Sequence, residues 1–448
     1  MARKVSDMSI FSMRLTPTVV LAAGVWLISA SVSTVFAVDI KSVTSERGIK
    51  ALLVEDYTVP LVAISYSFKG GSAQDRAGKE GTAQLLTNTL DEGAGPIDSQ
   101  TFQVRLQDNG MSYSFNAGYD SFSGGIKTLK SETADAFELL RLMLNEPRFD
   151  VEPVDRMKAS RLNRLKGQET NPRSIAGKAF RESVFAGHPY SRPGEGTLQT
   201  MADIGPADLE DFRKRVFARD NLVVGVVGAI SAEETRAMLD QVFGELPEKA
   251  SLTPVPEVEP KVGEVNHIEF ATPQTNIRIA LPGIKREDPD FFAGYLANYV
   301  LGGGSFSSRL YSEVREKRGL AYGVYSYLGT YDHAGIVGSG SATRADRSQQ
   351  TVDVMLAEFE RMAKEGPTAE ELEKAKKYIK GSYAIANLDT SGKIASVLVA
   401  IQNLGLGVDY IDKRADYIEA VTLEDAKRVS AKLFGGKPTV ITVGRKVK

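Results

Sequence analysis

Met201–Gly228 reads MADIGPADLEDFRKRVFARDNLVVGVVG, and Ile418–Gly444 reads IEAVTLEDAKRVSAKLFGGKPTVITVG. Each is an acid-rich helical stretch that runs into an apolar strand ending in glycine. A second pair keeps the same order at a similar separation. Val104-Arg105-Leu-Gln-Asp-Asn-Gly110-Met-Ser-Tyr113 is matched by Val314-Arg315-Glu-Lys-Arg-Gly319-Leu-Ala-Tyr322. Similarity repeated in the same order at a roughly constant offset is the signature of duplication. Each half opens with strand alternation, at Leu61–Tyr66 and at Asn276–Ala280, and helical periodicity follows before the closing strand. Between the halves, Ser251-Leu-Thr-Pro254-Val-Pro256-Glu-Val-Glu-Pro260 reads as an extended linker. The expected fold is therefore α+β. It has two related domains, 38–250 and 261–448 joined by 251–260, each with helices packed on a mostly antiparallel sheet.

The start of the chain reads as a signal peptide over residues 1–37. Arg3, Lys4 and Arg14 form a basic region, Thr18–Ile28 an apolar core, and Val35-Phe36-Ala37 a cleavage site of small residues. Export to the periplasm is expected, with cleavage near Ala37 and no stable membrane anchor afterwards, since the apolar run is short for a span. The chain contains no cysteine, so neither disulfides nor thiol chemistry enter, and a core of this size does not need staples. Net charge is −2, with Lys and Arg scattered among acids, which gives no footprint for nucleic acid. Gly302-Gly303-Gly304 lacks the lysine and spacing of a phosphate loop.

Within the first half, Gly81–Leu90 (GTAQLLTNTL) reads as a short amphipathic helix after a glycine-rich turn, with Gln84, Thr87 and Asn88 on one face. That i, i+3, i+4 spacing is the one at which two histidines and a glutamate hold and use zinc. Amide and hydroxyl groups are weak zinc donors, and Thr87 cannot take a proton from a bound water at neutral pH. The chain has three histidines, His188, His267 and His333, none with a second histidine within a helical turn, and each is read as structural.

These segments resemble the pitrilysin and insulinase-type zinc peptidases, in the small-subunit branch that includes mitochondrial processing peptidase. The carriers are Gly70-Gly71-Ser72, Gly78-Lys79-Glu80-Gly81, Glu169-Thr170-Asn171-Pro172, His188-Pro189-Tyr190, and Leu301-Gly-Gly-Gly-Ser-Phe-Ser-Ser-Arg309-Leu-Tyr311 with Arg315 and Gly319-Leu-Ala-Tyr322. A working site in that family uses an H-x-x-E-H helix and a distal glutamate. The resemblance puts Gln84, Thr87 and Asn88 at the H-x-x-E-H positions and Arg164 at the distal glutamate, so the metal site is degenerate. It also implies that Arg315 grips substrate carbonyls and Tyr322 hydrogen-bonds the oxyanion, with Gly302, Gly303, Gly304 and Ser305 approaching an extended peptide.

Ser308–Arg318 reads as a helix ended by Gly319, and Leu320–Tyr327 as the next strand. Arg315 in the last turn and Tyr322 in the strand could converge on one surface. On a bland reading, Arg315, Lys317 and Arg318 complement a helix dipole and Tyr322 packs on the sheet. The pair Arg105 and Tyr113, with one residue more between them, reads as a relic. What the resemblance implies is a periplasmic subunit without metal of its own, acting in trans with a zinc-bearing H-x-x-E-H partner on peptides. The alternatives are a non-enzymatic scaffold or peptide-binding protein, and a peptidase with some other metal site, for which the ligands are lacking.

Overall fold

A computed structural model describes residues 39–446. The leader expected over residues 1–37 lies outside the described residues. Among the described residues, eleven strands form two mixed sheets. The first contains β1 (Lys41–Thr44), β2 (Lys50–Glu55), β3 (Leu61–Lys69), β4 (Ser112–Ala117), β5 (Ser121–Leu129) and β6 (Leu222–Gly228), in the order β1-β2-β6-β3-β5-β4. The second contains β7 (Val265–Glu269), β8 (Gln274–Pro282), β9 (Ala321–Tyr331), β10 (Ala334–Arg344) and β11 (Thr439–Gly444), in the order β7-β11-β8-β10-β9.

Apart from β1, the two orders are the same: a parallel edge pair (β2 with β6, β7 with β11), then antiparallel strands out to β4 or β9. The duplication read from sequence is thus a duplication of topology. Tyr113 and Tyr322 hold the same place, second residue of the outermost strand.

Each half buries its own core. Tyr66, Phe68, Phe122, Phe212 and Phe217 fill the first, and Ile277, Ile279, Leu310, Met355 and Phe434 the second. The closing segments of the two halves are built alike. In the second, the Thr422 hydroxyl and Asp425 carboxylate cap helix Leu423–Phe434 reciprocally, fixing where the chain turns before β11.

The halves do not stand apart as two self-sufficient domains. Helix Pro172–Val184 of the first half packs on β8 and β11 of the second, and helix Ser391–Asn403 of the second packs on β3 and β6 of the first. The exchange depends on close approach: a Cβ on Gly225 would lie 2.4 Å from the Ala395 carbonyl oxygen. A third apolar cluster, including Phe180, Phe185, Tyr190, Ile336 and Ile441, joins the two sides. Residues 251–260 carry neither helix nor strand and are strapped down. Thr253 exchanges two hydrogen bonds with the Gln74 side chain (2.8 and 2.9 Å), and Val258 N–H donates to the His333 carbonyl at 2.9 Å.

Candidate functional site

The sequence motifs resolve into framework and site. Asn171 caps helix Pro172–Val184, its Oδ1 accepting from the N–H groups of Arg173 and Ser174, and Pro172 occupies the first turn. That breaks the preceding helix, Val151–Glu169, and re-aims the chain across to the second sheet. His188 is buried; its Nδ1 accepts from Tyr190 N–H at 3.2 Å and its Nε2 meets the Pro256 carbonyl at 2.9 Å. Tyr190 Oη donates to Asp120 at 2.5 Å and accepts from His333 N–H at 3.1 Å. These groups fasten the halves together. His267 bonds Thr442 and His333 pairs with Glu257, so all three histidines have structural partners.

At the degenerate metal position the regular α-helix is only Thr82–Leu86, with Thr87 as its C-cap and Asn88 beyond it. Its start is held by buried Asp75, which accepts from Gly81 N–H (2.8 Å) and Ala83 N–H (3.0 Å). Its end is loosened because Thr87 and Thr89 hydroxyls bond to the carbonyls of Gln84, Leu85 and Leu86.

Gln84 is fully engaged: Nε2 donates to the Ala117 carbonyl at 2.5 Å, and Oε1 accepts from Arg161 Nη2 at 2.8 Å. Arg161 is 5% exposed, and burial pulls its pKa down from that of a free guanidinium. A buried cation bound to the first ligand position repels a second one. Among the described residues no three His, Cys, Asp or Glu side chains gather as a metal site. These residues do not fit zinc.

The basic residue that meets Gln84 is therefore Arg161, whereas Arg164, expected at the distal-glutamate position, is exposed one turn further along Val151–Glu169. Which of the two arginines faces inward could have been found from periodicity. Val154, Arg161 and Leu165 lie on one stripe of that helix, and Arg164 falls outside it.

In the second half, Ser308–Arg318 is not one α-helix. A turn at Arg309–Tyr311 widens into a π-turn at Ser312–Glu316, and Gly319 (φ +58°) ends it as expected. The strand that follows runs longer than read, Ala321–Tyr331. The wide turn brings Arg315 over three rings, with its guanidinium carbon 4.4 Å from the centroid of Tyr322, 4.9 Å from Tyr311 and 6.0 Å from Phe306.

Lys317 and Arg318 both pair with buried Glu313, at 2.6 and 2.5 Å. The Arg315 side chain has no hydrogen bond or ion pair among the described residues, and Tyr322 is 84% exposed. Arg315 is half-buried against these rings, and neither it nor Tyr322 has a polar side-chain partner among the described residues. The earlier pair behaves oppositely: Arg105 is tied to Asp135, and Tyr113 Oη donates to Asp91 at 2.9 Å. Same topology, opposite fate.

Gly302 lies against β9, where a Cβ would meet Ser326 N at 2.6 Å, so the close approach it permits is to this chain's own strand rather than to a peptide. Gly303 is exposed and Gly304 half-buried. Ser305 is exposed at φ +47°, and beside it Phe306 is 71% exposed.

Two similar halves, a ligand helix stripped of ligands and an outward arginine–tyrosine pair define a protein built on a zinc-peptidase plan without its metal chemistry. Residues 50–198 match the family described as insulinase (peptidase family M16), and residues 203–379 the peptidase M16 inactive domain. A crystal structure of a peptidase M16 inactive domain from Pseudomonas fluorescens is 30% identical. It superposes with a TM-score of 0.86, covering 91% of this chain and 98% of that one. The chain belongs to peptidase family M16. A Helicobacter pylori protein named non-peptidase homolog YmxG is 24% identical over 383 residues (85% of this chain, 88% of that protein). A Bacillus subtilis protein named uncharacterized zinc protease YmxG is 24% identical over 396 residues (88% and 96%). The two names differ on catalysis; in this chain Gln84, Thr87, Asn88 and Arg161 decide it.

Proposed function

We propose that this protein is the non-catalytic subunit of a two-chain periplasmic zinc peptidase. It completes, in trans, the active site of a family member that carries H-x-x-E-H and the zinc. Arg315 grips the substrate backbone and Tyr322 donates a hydrogen bond to the oxyanion of the tetrahedral intermediate. A donor aimed at developing charge in a dry site contributes about 3 kcal/mol.

The observation that carries this reading is the contrast between the two duplicated pairs. Arg105 and Tyr113 are consumed by Asp135 and Asp91, while Arg315 and Tyr322 keep free polar ends beside exposed Phe306. A pair kept only for packing has no reason to stay unpaired in one half.

The test is affinity purification of the tagged protein from its native host. A family member with H-x-x-E-H should co-purify, and the complex should hydrolyse unstructured peptides in a chelator-sensitive way. The protein alone should do neither. Zinc-dependent hydrolysis by the isolated protein, or its recovery without any such partner, would contradict the proposal.

A further inference from the structure

A cleft of about 650 Å³ lies where the two halves meet, with Gln84 on one wall and Arg278 of β8 on another. Four cations line it, Arg173, Lys178, Arg181 and Arg278, against two carboxylates, Glu169 and Glu195. Neither acid neutralises them: Glu195 accepts from Gln168 at 2.9 Å, and Lys178 stands 3.8 Å from Glu182 instead.

Arg181 and Arg278 are half-buried, and neither has a carboxylate partner among the described residues. Arg181 Nε is shut off from solvent with no acceptor. Arg278 Nη1 donates only to the neutral Tyr325 hydroxyl. Burial raises the pKa values of Tyr119, Tyr327 and Tyr331, and the charge of Arg181 opposes that rise in each. The three phenols thus lie within the field of the guanidinium and stay neutral.

A half-buried guanidinium without an anionic acceptor is costly to keep, and a planar carboxylate satisfies it with two parallel hydrogen bonds. Gly338 and Gly340 of β10 let Tyr327 and Arg278 lie flat on the sheet: a Cβ at Gly338 would meet the Tyr327 ring, and one at Gly340 would lie 2.5 Å from Arg278 Nη1.

We propose that Arg181 and Arg278 form a carboxylate-binding subsite in the cleft between the halves, so that the protein selects peptides carrying an anionic group there. The inference rests on the reading of this protein as one that handles peptides. The carboxylate could be an acidic side chain or a free C-terminus.

The test titrates the purified protein with three versions of one extended peptide. One has a free C-terminus and no acid, one is amidated with an internal glutamate, and one is amidated and neutral. N-acetylglutamate serves as a small probe. At least one anionic version should bind about tenfold or more tightly than the neutral one; which version gains identifies the source. Arg181→Gln and Arg278→Gln should each abolish that gain while leaving the neutral peptide's Kd unchanged. Equal binding of all three by the unsubstituted protein overturns the subsite and leaves peptide handling standing, with no variant needed. Binding of N-acetylglutamate that depends on both arginines, with no peptide bound, keeps the subsite and overturns peptide handling. No binding of any probe overturns both.

Discussion

Arg161 does what no single motif announces: it fills the metal position from inside. Its guanidinium holds Gln84 Oε1 at 2.8 Å, so replacing the three ligand-position residues alone leaves a cation facing the ion. The triple change Gln84→His, Thr87→Glu, Asn88→His should therefore bind zinc weakly. Adding Arg161→Glu should tighten binding by about 100-fold or more, since it replaces repulsion with attraction at close range; adding Arg164→Glu instead should gain far less. Zinc titration of the folded variants checks this, and equal gains from both changes would contradict the assignment.

A neighbouring acid gives a pH effect of definite sign. Burial pushes the Asp75 carboxyl up to about 7, against the pull of Ala83 N–H, Gly81 N–H and Arg192. The unfolded chain titrates near pH 4 at this group. The folded state therefore binds the extra proton between those values. The contribution of Asp75 to stability is full below about pH 4 and lost as pH rises through about 7. Asp75→Asn, neutral throughout, should flatten the fall in stability between pH 5 and 8 in denaturant titrations. An unchanged slope would show that Asp75 is ionised across this range.

Among the elements, strands were the most legible. The alternation at Leu61–Tyr66 and Asn276–Ala280 marks β3 and β8, and Gly319 marks the turn before β9, because period-two burial and a left-handed glycine are local properties. The turns around the site were not legible. Ser312–Glu316 widens to a π-turn, and the helix at Gln84 stops at Leu86. Neither departure is written in helix propensity: the π-turn packs on β9 and on helix Ser348–Glu365, and at Gln84 threonine hydroxyls compete for carbonyls. The helix exchange was equally hidden, since Pro172–Val184 and Ser391–Asn403 carry ordinary amphipathic patterns that do not say which sheet they cover. Gly225 is its clearest local mark. Gly225→Ala should push Ser391–Asn403 off β6 and cost about 1–3 kcal/mol of stability by denaturant titration. A neutral effect would mean that the helix sits less tightly than 2.4 Å implies.

For the whole molecule, the duplication supplies the internal control that makes the functional account testable. One arginine–tyrosine pair is locked into the fold by carboxylates and its counterpart has no polar side-chain partner among the described residues, in a chain whose ligand helix is held by Gln84 and Arg161. The family resemblance was readable from the motifs. The distinction between the two pairs was not, because Asp91 and Asp135 are distant in sequence from Tyr113 and Arg105 and reach them only through tertiary packing.

The most direct measurement is steady-state peptide hydrolysis by the complex with the H-x-x-E-H partner, comparing Tyr322→Phe and Tyr113→Phe, with zinc content and assembly measured in parallel. Tyr322→Phe should lower kcat about 10²–10³-fold with little change in KM, since it removes a bond made only in the transition state, while Tyr113→Phe should leave turnover intact. Unchanged turnover in Tyr322→Phe, with the complex assembled and its zinc in place, would contradict the account and make the outward pair structural.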